Sequence, residues 1–120
     1  MTLQECYAAM GGSYDEVIGR LRSERLVQKF VLKFLADGSY QLLCSSMESQ
    51  DYPEAFRAAH TIKGMCQNLS FTVLGRSSST LAEALRNGYT PEADPLLEQV
   101  KADYASTAQA IQTFQAEMEA

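Results

Sequence analysis

Histidine is nearly missing from this sequence: His60 is alone among 120 residues. A zinc site built on imidazoles needs several ligands, and one histidine with three scattered cysteines is a poor set, so no metal centre is expected. Any Ser-His-Asp or Cys-His enzyme would have to use His60 as its base. The three cysteines, Cys6, Cys44 and Cys66, are odd in number, widely spaced and form no CxxC pair. They are expected to be buried free thiols in a reducing cytosol, not a disulfide framework. Long apolar runs are also lacking: Phe30–Ala36 is interrupted by Lys33 and is far too short to span a bilayer. The N-terminus has no basic region followed by an apolar run, so no signal peptide is expected and the location expected is cytoplasmic, away from membranes. A basic excess is absent too. Ten Lys and Arg face 15 Asp and Glu, a net charge of −5, which argues against nucleic acid as a partner.

What is present is ordinary for a globular domain: 46% hydrophobic and 21% charged residues. A chain of 120 residues suits one domain, with a core bundle expected over about 25–118. Glycine and proline fall at boundaries, and helical periodicity fills the segments between them. Thr2 can cap a first short helix with Leu3, Cys6, Tyr7 and Met10 inward. Ser13 with Glu16 is a capping-box pattern, and Ser23 a further start. Val27, Phe30, Val31 and Phe34 then share one face, and Asp37-Gly38 stops that helix. Ser39 can cap the next, with Leu42, Leu43, Ser46 and Met47 inward.

Asp51-Tyr-Pro-Glu54 opens a helix to about Leu69, with Asp51 as N-cap and Glu54 as its reciprocal partner. Thr72 can cap a helix ending at Asn87-Gly88. The last helix starts near Thr90-Pro91 or Asp94-Pro95, and Leu97, Tyr104, Ile111 and Met118 repeat every seven residues along it. Short loops make consecutive long helices antiparallel. The fold expected is all-α: an up-and-down antiparallel four-helix bundle, with one or two short extra N-terminal helices covering one end.

The helical wheel gives the single histidine a direction. With His60 at zero and about 100° per residue, Leu69 lies near 180° and Ile62 near 200°. Ala55, Ala58, Ala59, Met65 and Cys66 fall within about 60° of Ile62, so His60 points away from the apolar face. Phe56, Arg57, Lys63, Gly64 and Gln67 share its side of the helix. A mid-helix glycine costs about 1 kcal/mol relative to alanine. At i+4 from His60 it leaves room for an added group and an approaching partner. Lys63, one turn along, can offset a phosphoryl dianion on the imidazole. Phe56 is an aromatic of the kind that anchors protein partners. A solvated lysine, a surface amide at Gln67 and a Phe56 packed on the next helix are the plainer alternatives.

Ala58-Ala59-His60-Thr61-Ile62-Lys63-Gly64 resembles the His-x-(Leu/Ile)-Lys-Gly motif of the histidine-containing phosphotransfer (HPt) domain family. Leu81-Ala-Glu-Ala-Leu85-Arg-Asn-Gly88 is similar to the Leu-x-x-x-Leu end of that family's next helix. The resemblance covers about residues 25–115. It implies a four-helix bundle with an exposed histidine midway along one helix. It implies that His60 takes a phosphoryl group from a receiver-domain aspartyl phosphate and passes it to another receiver aspartate. Lys63 is then the stabilising cation and Gly64 the clearance residue. Phe56, Arg57 and Gln67 are candidates for the receiver docking face. The implied partners are receiver domains and a hybrid sensor histidine kinase. One position departs: Ser70 stands where many members carry a second glycine.

There is no P-loop and no glycine-rich kinase loop, so a carrier without autokinase activity is expected, not an enzyme. No cofactor is expected on this chain; Mg2+ belongs to the partner receiver domain. Two other readings differ in their tests. A non-catalytic helical scaffold would dock receivers and never carry label. A small enzyme using His60 as general base would turn over a substrate and lose that on His60→Ala.

Overall fold

The computed structural model describes residues 1–119, and seven helices account for most of them. They are α1 (Leu3–Met10), α2 (Tyr14–Leu21), α3 (Glu24–Ala36), α4 (Ser39–Glu48), α5 (Tyr52–Leu69), α6 (Thr72–Leu85) and α7 (Ala93–Glu119). No strand occurs among the described residues.

Local chemistry sets most of the helix starts. Thr2 and Glu5 form a complete capping box on α1. Ser13, Ser23 and Asp51 each accept the backbone N–H three residues on. Glu54 does not reciprocate for Asp51; its carboxylate holds Arg57 instead. Two expected caps shift by one residue. Gly38 precedes α4, and Asp37 accepts the Ser39 N–H at 2.8 Å. Phe71 precedes α6, leaving Thr72 as its first residue. The last helix begins at Ala93, so Pro95 sits in its first turn, where a missing N–H costs little.

The helices α4, α5, α6 and α7 pack in chain order as an antiparallel bundle, with α5 between α4 and α6. Antiparallel pairing is visible in side chains. The Arg86 guanidinium, after α6, lies over Phe56, near the start of α5. Gly75, early in α6, faces Cys66, late in α5: a Cβ at Gly75 would lie 3.1 Å from that of Cys66. At about 1.5 Å per residue, α7 runs about 40 Å against about 27 Å for α5. Its later turns receive α1, with Cys6 at the Ala110 carbonyl, and Phe34 of α3 meets it at Tyr104.

These N-terminal helices close the bundle over the α5–α6 turn. Tyr7 donates its hydroxyl to the Leu69 carbonyl at 2.8 Å and packs on Phe71, which meets Phe34 edge-on. Ser70, the position that departs from the motif, adopts a left-handed φ of 57° without being glycine. That conformation costs roughly 1–2 kcal/mol for a side-chain-bearing residue. It is held in place by Arg20, which donates to Ser70 Oγ at 2.9 Å and to the Asn68 carbonyl at 2.7 Å. The Ser13 N–H donates to the Ser70 carbonyl at 2.9 Å.

Three inward expectations are corrected. Leu42 is 41% exposed, because α4 is packed mainly by α5 and buries only the stripe of Leu43, Ser46 and Met47. Met118 is 49% exposed, near the end of α7. Cys6 and Cys66 are buried, but Cys44 is half-buried. All three thiols are free.

Candidate functional site

Helix α5 divides cleanly around its axis. Ala55, Ala58, Ala59, Ile62, Cys66 and Leu69 are buried. Four of these six are alanine or cysteine, and such small side chains let the neighbouring helices come close. Burial pushes the Cys66 thiol up to about 12, since no nearby charge supports a thiolate. His60, Arg57, Gly64 and Gln67 are exposed, as the wheel requires. Lys63 and Phe56 are half-buried, on the side of the stripe that faces α6.

His60 stands at the ninth position of the 18-residue helix. His60 is exposed, and its imidazole makes no hydrogen bond to another described residue. Lys63 lies one turn further along, and no carboxylate among the described residues pairs with it. Gly64 follows by another residue. A Cβ placed there would meet no heavy atom within 4 Å, so helix packing does not require the glycine. The space above it is open. Arg57, by contrast, is tied to Glu54 one turn back. Gln67 reaches the cleft between α5 and α6 that Arg20, Ser70, Gly75 and Arg76 also line. The sequence candidates therefore fall on one continuous stripe, with Arg57 one turn before His60 and Gln67 two turns after it.

One neighbour is invisible to a wheel of α5 alone. Arg86, the residue closing α6, places its guanidinium 5.5 Å from the Phe56 ring centre. An exposed cation–π contact of this kind is worth about 0.5–1 kcal/mol. Its Nε also donates to Glu83 at 3.1 Å. Phe56 in turn stacks on His60, with ring centres 5.9 Å apart and planes 27° apart. Spacing within α6 alone does not show this contact, because it depends on how α6 lies along α5.

The arrangement suits one kind of chemistry. An exposed imidazole nitrogen can act as a nucleophile, a nearby ammonium can offset negative charge, and a side-chain-free position admits a bulky group. No group of three or more His, Cys, Asp or Glu side chains among the described residues is placed to hold a metal ion.

A family model for the Hpt domain matches residues 20–119 of the chain. No curated protein matches it. No solved structure matches it either.

Proposed function

This chain belongs to the Hpt domain family, and from that membership we propose that it carries a phosphoryl group on His60 between receiver domains of a two-component phosphorelay. The family consists of phosphocarrier proteins acting in histidine phosphotransfer. The observation that supports the residue assignment is the outward stripe of His60, Lys63 and Gly64, midway along α5 and open to solvent on the glycine side.

The unprotonated imidazole nitrogen attacks the phosphorus of an aspartyl phosphate in line. An N–P bond forms, the P–O bond to the aspartate breaks, and the carboxylate leaves on the receiver. The second ring nitrogen releases its proton to water. Passage to a second receiver reverses these steps. Such transfers depend on positioning and charge neutralisation more than on covalent help. Lys63 offsets the phosphoryl charge on this chain, and Gly64 leaves clearance for it. Arg57 and Gln67, exposed one turn before and two turns after His60, contribute to receiver docking, with Phe56 between the two helices. The acceptor aspartate and its Mg2+ belong to the receiver, so this chain needs no cofactor of its own.

The partners are receiver domains and the hybrid sensor kinase that feeds them. The chain does not phosphorylate itself from ATP. It works in the cytoplasm, in keeping with its three free thiols. Among the described residues no helix is long and apolar enough to cross a membrane.

The test is incubation with a receiver domain carrying labelled aspartyl phosphate. Acid-labile label is expected on the wild-type chain and none on His60→Ala. Label that persists in His60→Ala, or never appears on the wild type with any receiver, overturns the assignment.

A further inference from the structure

His60 has different neighbours one turn to either side. At i−4 stands the half-buried Phe56 ring, offset-stacked on the imidazole with centres 5.9 Å apart. At i+4 stands Gly64, where even a Cβ would touch nothing within 4 Å. The imidazole thus has a wall on one side and open space on the other. No hydrogen bond to a described residue restrains it, and the Phe56 ring is stacked against it. The Phe56 ring is itself held from the next helix. Arg86 lies over it at 5.5 Å and is anchored to Glu83 at 3.1 Å.

We propose that Phe56 is a positioning residue for His60, and that Arg86 reaches across from α6 to hold the Phe56 ring that does this. The proposal rests on the reading of His60 as the phosphoryl acceptor. An in-line attack needs the nitrogen lone pair aimed at phosphorus, and that lone pair lies in the plane of the imidazole. A flat ring stacked on one face sets that plane before the donor arrives. The open Gly64 side then receives the phosphoryl group. Misalignment by about 1 Å can cost about a hundredfold in rate, so a modest restraint on the ring has a measurable effect.

Receiver docking and ring positioning separate when the donor needs no docking surface. Phosphoramidate is such a donor. The imidazole nitrogen attacks its phosphorus, the donor N–P bond breaks, and the amide leaves as ammonia with the proton that the imidazole gives up. Labelling rates are measured for the wild type and for Phe56→Leu, Phe56→Tyr and Arg86→Gln, with thermal melts alongside. Phe56→Leu is expected to slow phosphoramidate labelling about threefold to tenfold, the rate equivalent of an aromatic contact. Phe56→Tyr restores the wild-type rate. Arg86→Gln, at an exposed position, gives an intermediate loss while lowering the melting temperature by no more than about 5 °C. With one histidine in the chain, the imidazole ring protons of His60 are a single pair of resonances. They move in Phe56→Leu, as the ring current is lost, and stay in Phe56→Tyr.

A folded Phe56→Leu protein labelled by phosphoramidate at the wild-type rate overturns the proposal, and so does one impaired only with receiver donors, because docking then explains it. If Phe56→Leu does not fold, an unchanged rate in Arg86→Gln has the same force. A wild type labelled by phosphoramidate but by no phosphorylated receiver refutes the relay reading while the positioning result still stands. A wild type that takes no label from phosphoramidate overturns the positioning proposal, and the relay reading then stands or falls on labelling by receivers.

Discussion

The two faces of α5 are made of the same helix and obey different rules. The inward face spends its positions on small side chains: Ala55, Ala58, Ala59 and Cys66 surround Ile62, which is 1% exposed. Each is there because a neighbouring helix is close. The outward face carries His60, Gly64 and Gln67, all exposed, and a Cβ at Gly64 would meet no heavy atom within 4 Å. Packing therefore lies on one side of the helix and the candidate site on the other. The half-buried edge of Phe56 and Lys63 is where the two meet.

The largest expected contrast compares Ile62→Ala with His60→Ala. The first opens a cavity in the core and is expected to cost about 2–5 kcal/mol. The second is expected to stay within about 0.5 kcal/mol of wild type. Denaturant midpoints measure both. Equal costs would mean that His60 is a packing residue, and the division would fail.

Next comes pH. Burial raises the Cys66 thiol from 9.0 to about 12 and Cys6 from 9.0 to about 11. The unfolded chain ionises these thiols first, so it binds fewer protons than the folded chain above pH 9. Their stabilisation is complete below that pH and falls as pH rises through the folded values. Unfolding midpoints are expected to drop from pH 9 upward and to drop less steeply in Cys66→Ala. The half-buried Cys44 is expected to react with a thiol reagent in the native protein, while the other two react on unfolding. Early reaction of Cys66 would show that the inward face opens locally.

Two glycines sharpen the comparison further. Gly75→Val is expected to cost about 1–3 kcal/mol, since even a Cβ there meets Cys66 at 3.1 Å. Gly64→Ala is expected to gain up to about 1 kcal/mol from helix propensity. It should nonetheless slow phosphoryl acceptance. A Gly64→Ala protein that is more stable and equally fast would remove the clearance role.

The smallest effect concerns Ser78, a fully buried residue of α6 whose hydroxyl has no partner among the described residues. Ser78→Ala removes an unsatisfied polar group and is expected to be neutral or stabilising by about 1 kcal/mol in a thermal melt. A clear loss would show that the hydroxyl is satisfied in solution.

Much of the site was legible because its logic is local. The 100° step per residue separates His60 from Ile62 whatever else the chain does, and both lie where the wheel puts them. The caps at Thr2, Ser13, Ser23 and Asp51 likewise depend on residues a few positions apart. The misreadings share a cause. Leu42 has the right periodicity for burial, yet α4 is packed mainly by α5, so the apolar stripe it presents is wider than the face it buries. Met118 continues the seven-residue repeat near the end of α7, where it remains 49% exposed. Periodicity specifies an angle around a helix, but burial also needs a partner at that height.

By itself the sequence determined the helices, their order, the direction of His60 and the open position beside it, because each follows from spacing within one segment. Only the tertiary structure decided that Arg86 meets Phe56 thirty residues earlier, and that Arg20 and Tyr7 hold the end of α5. Those contacts depend on how far one helix slides along another. That offset is set by the joint packing of α5 with α6 and with the N-terminal helices, a property of no single segment.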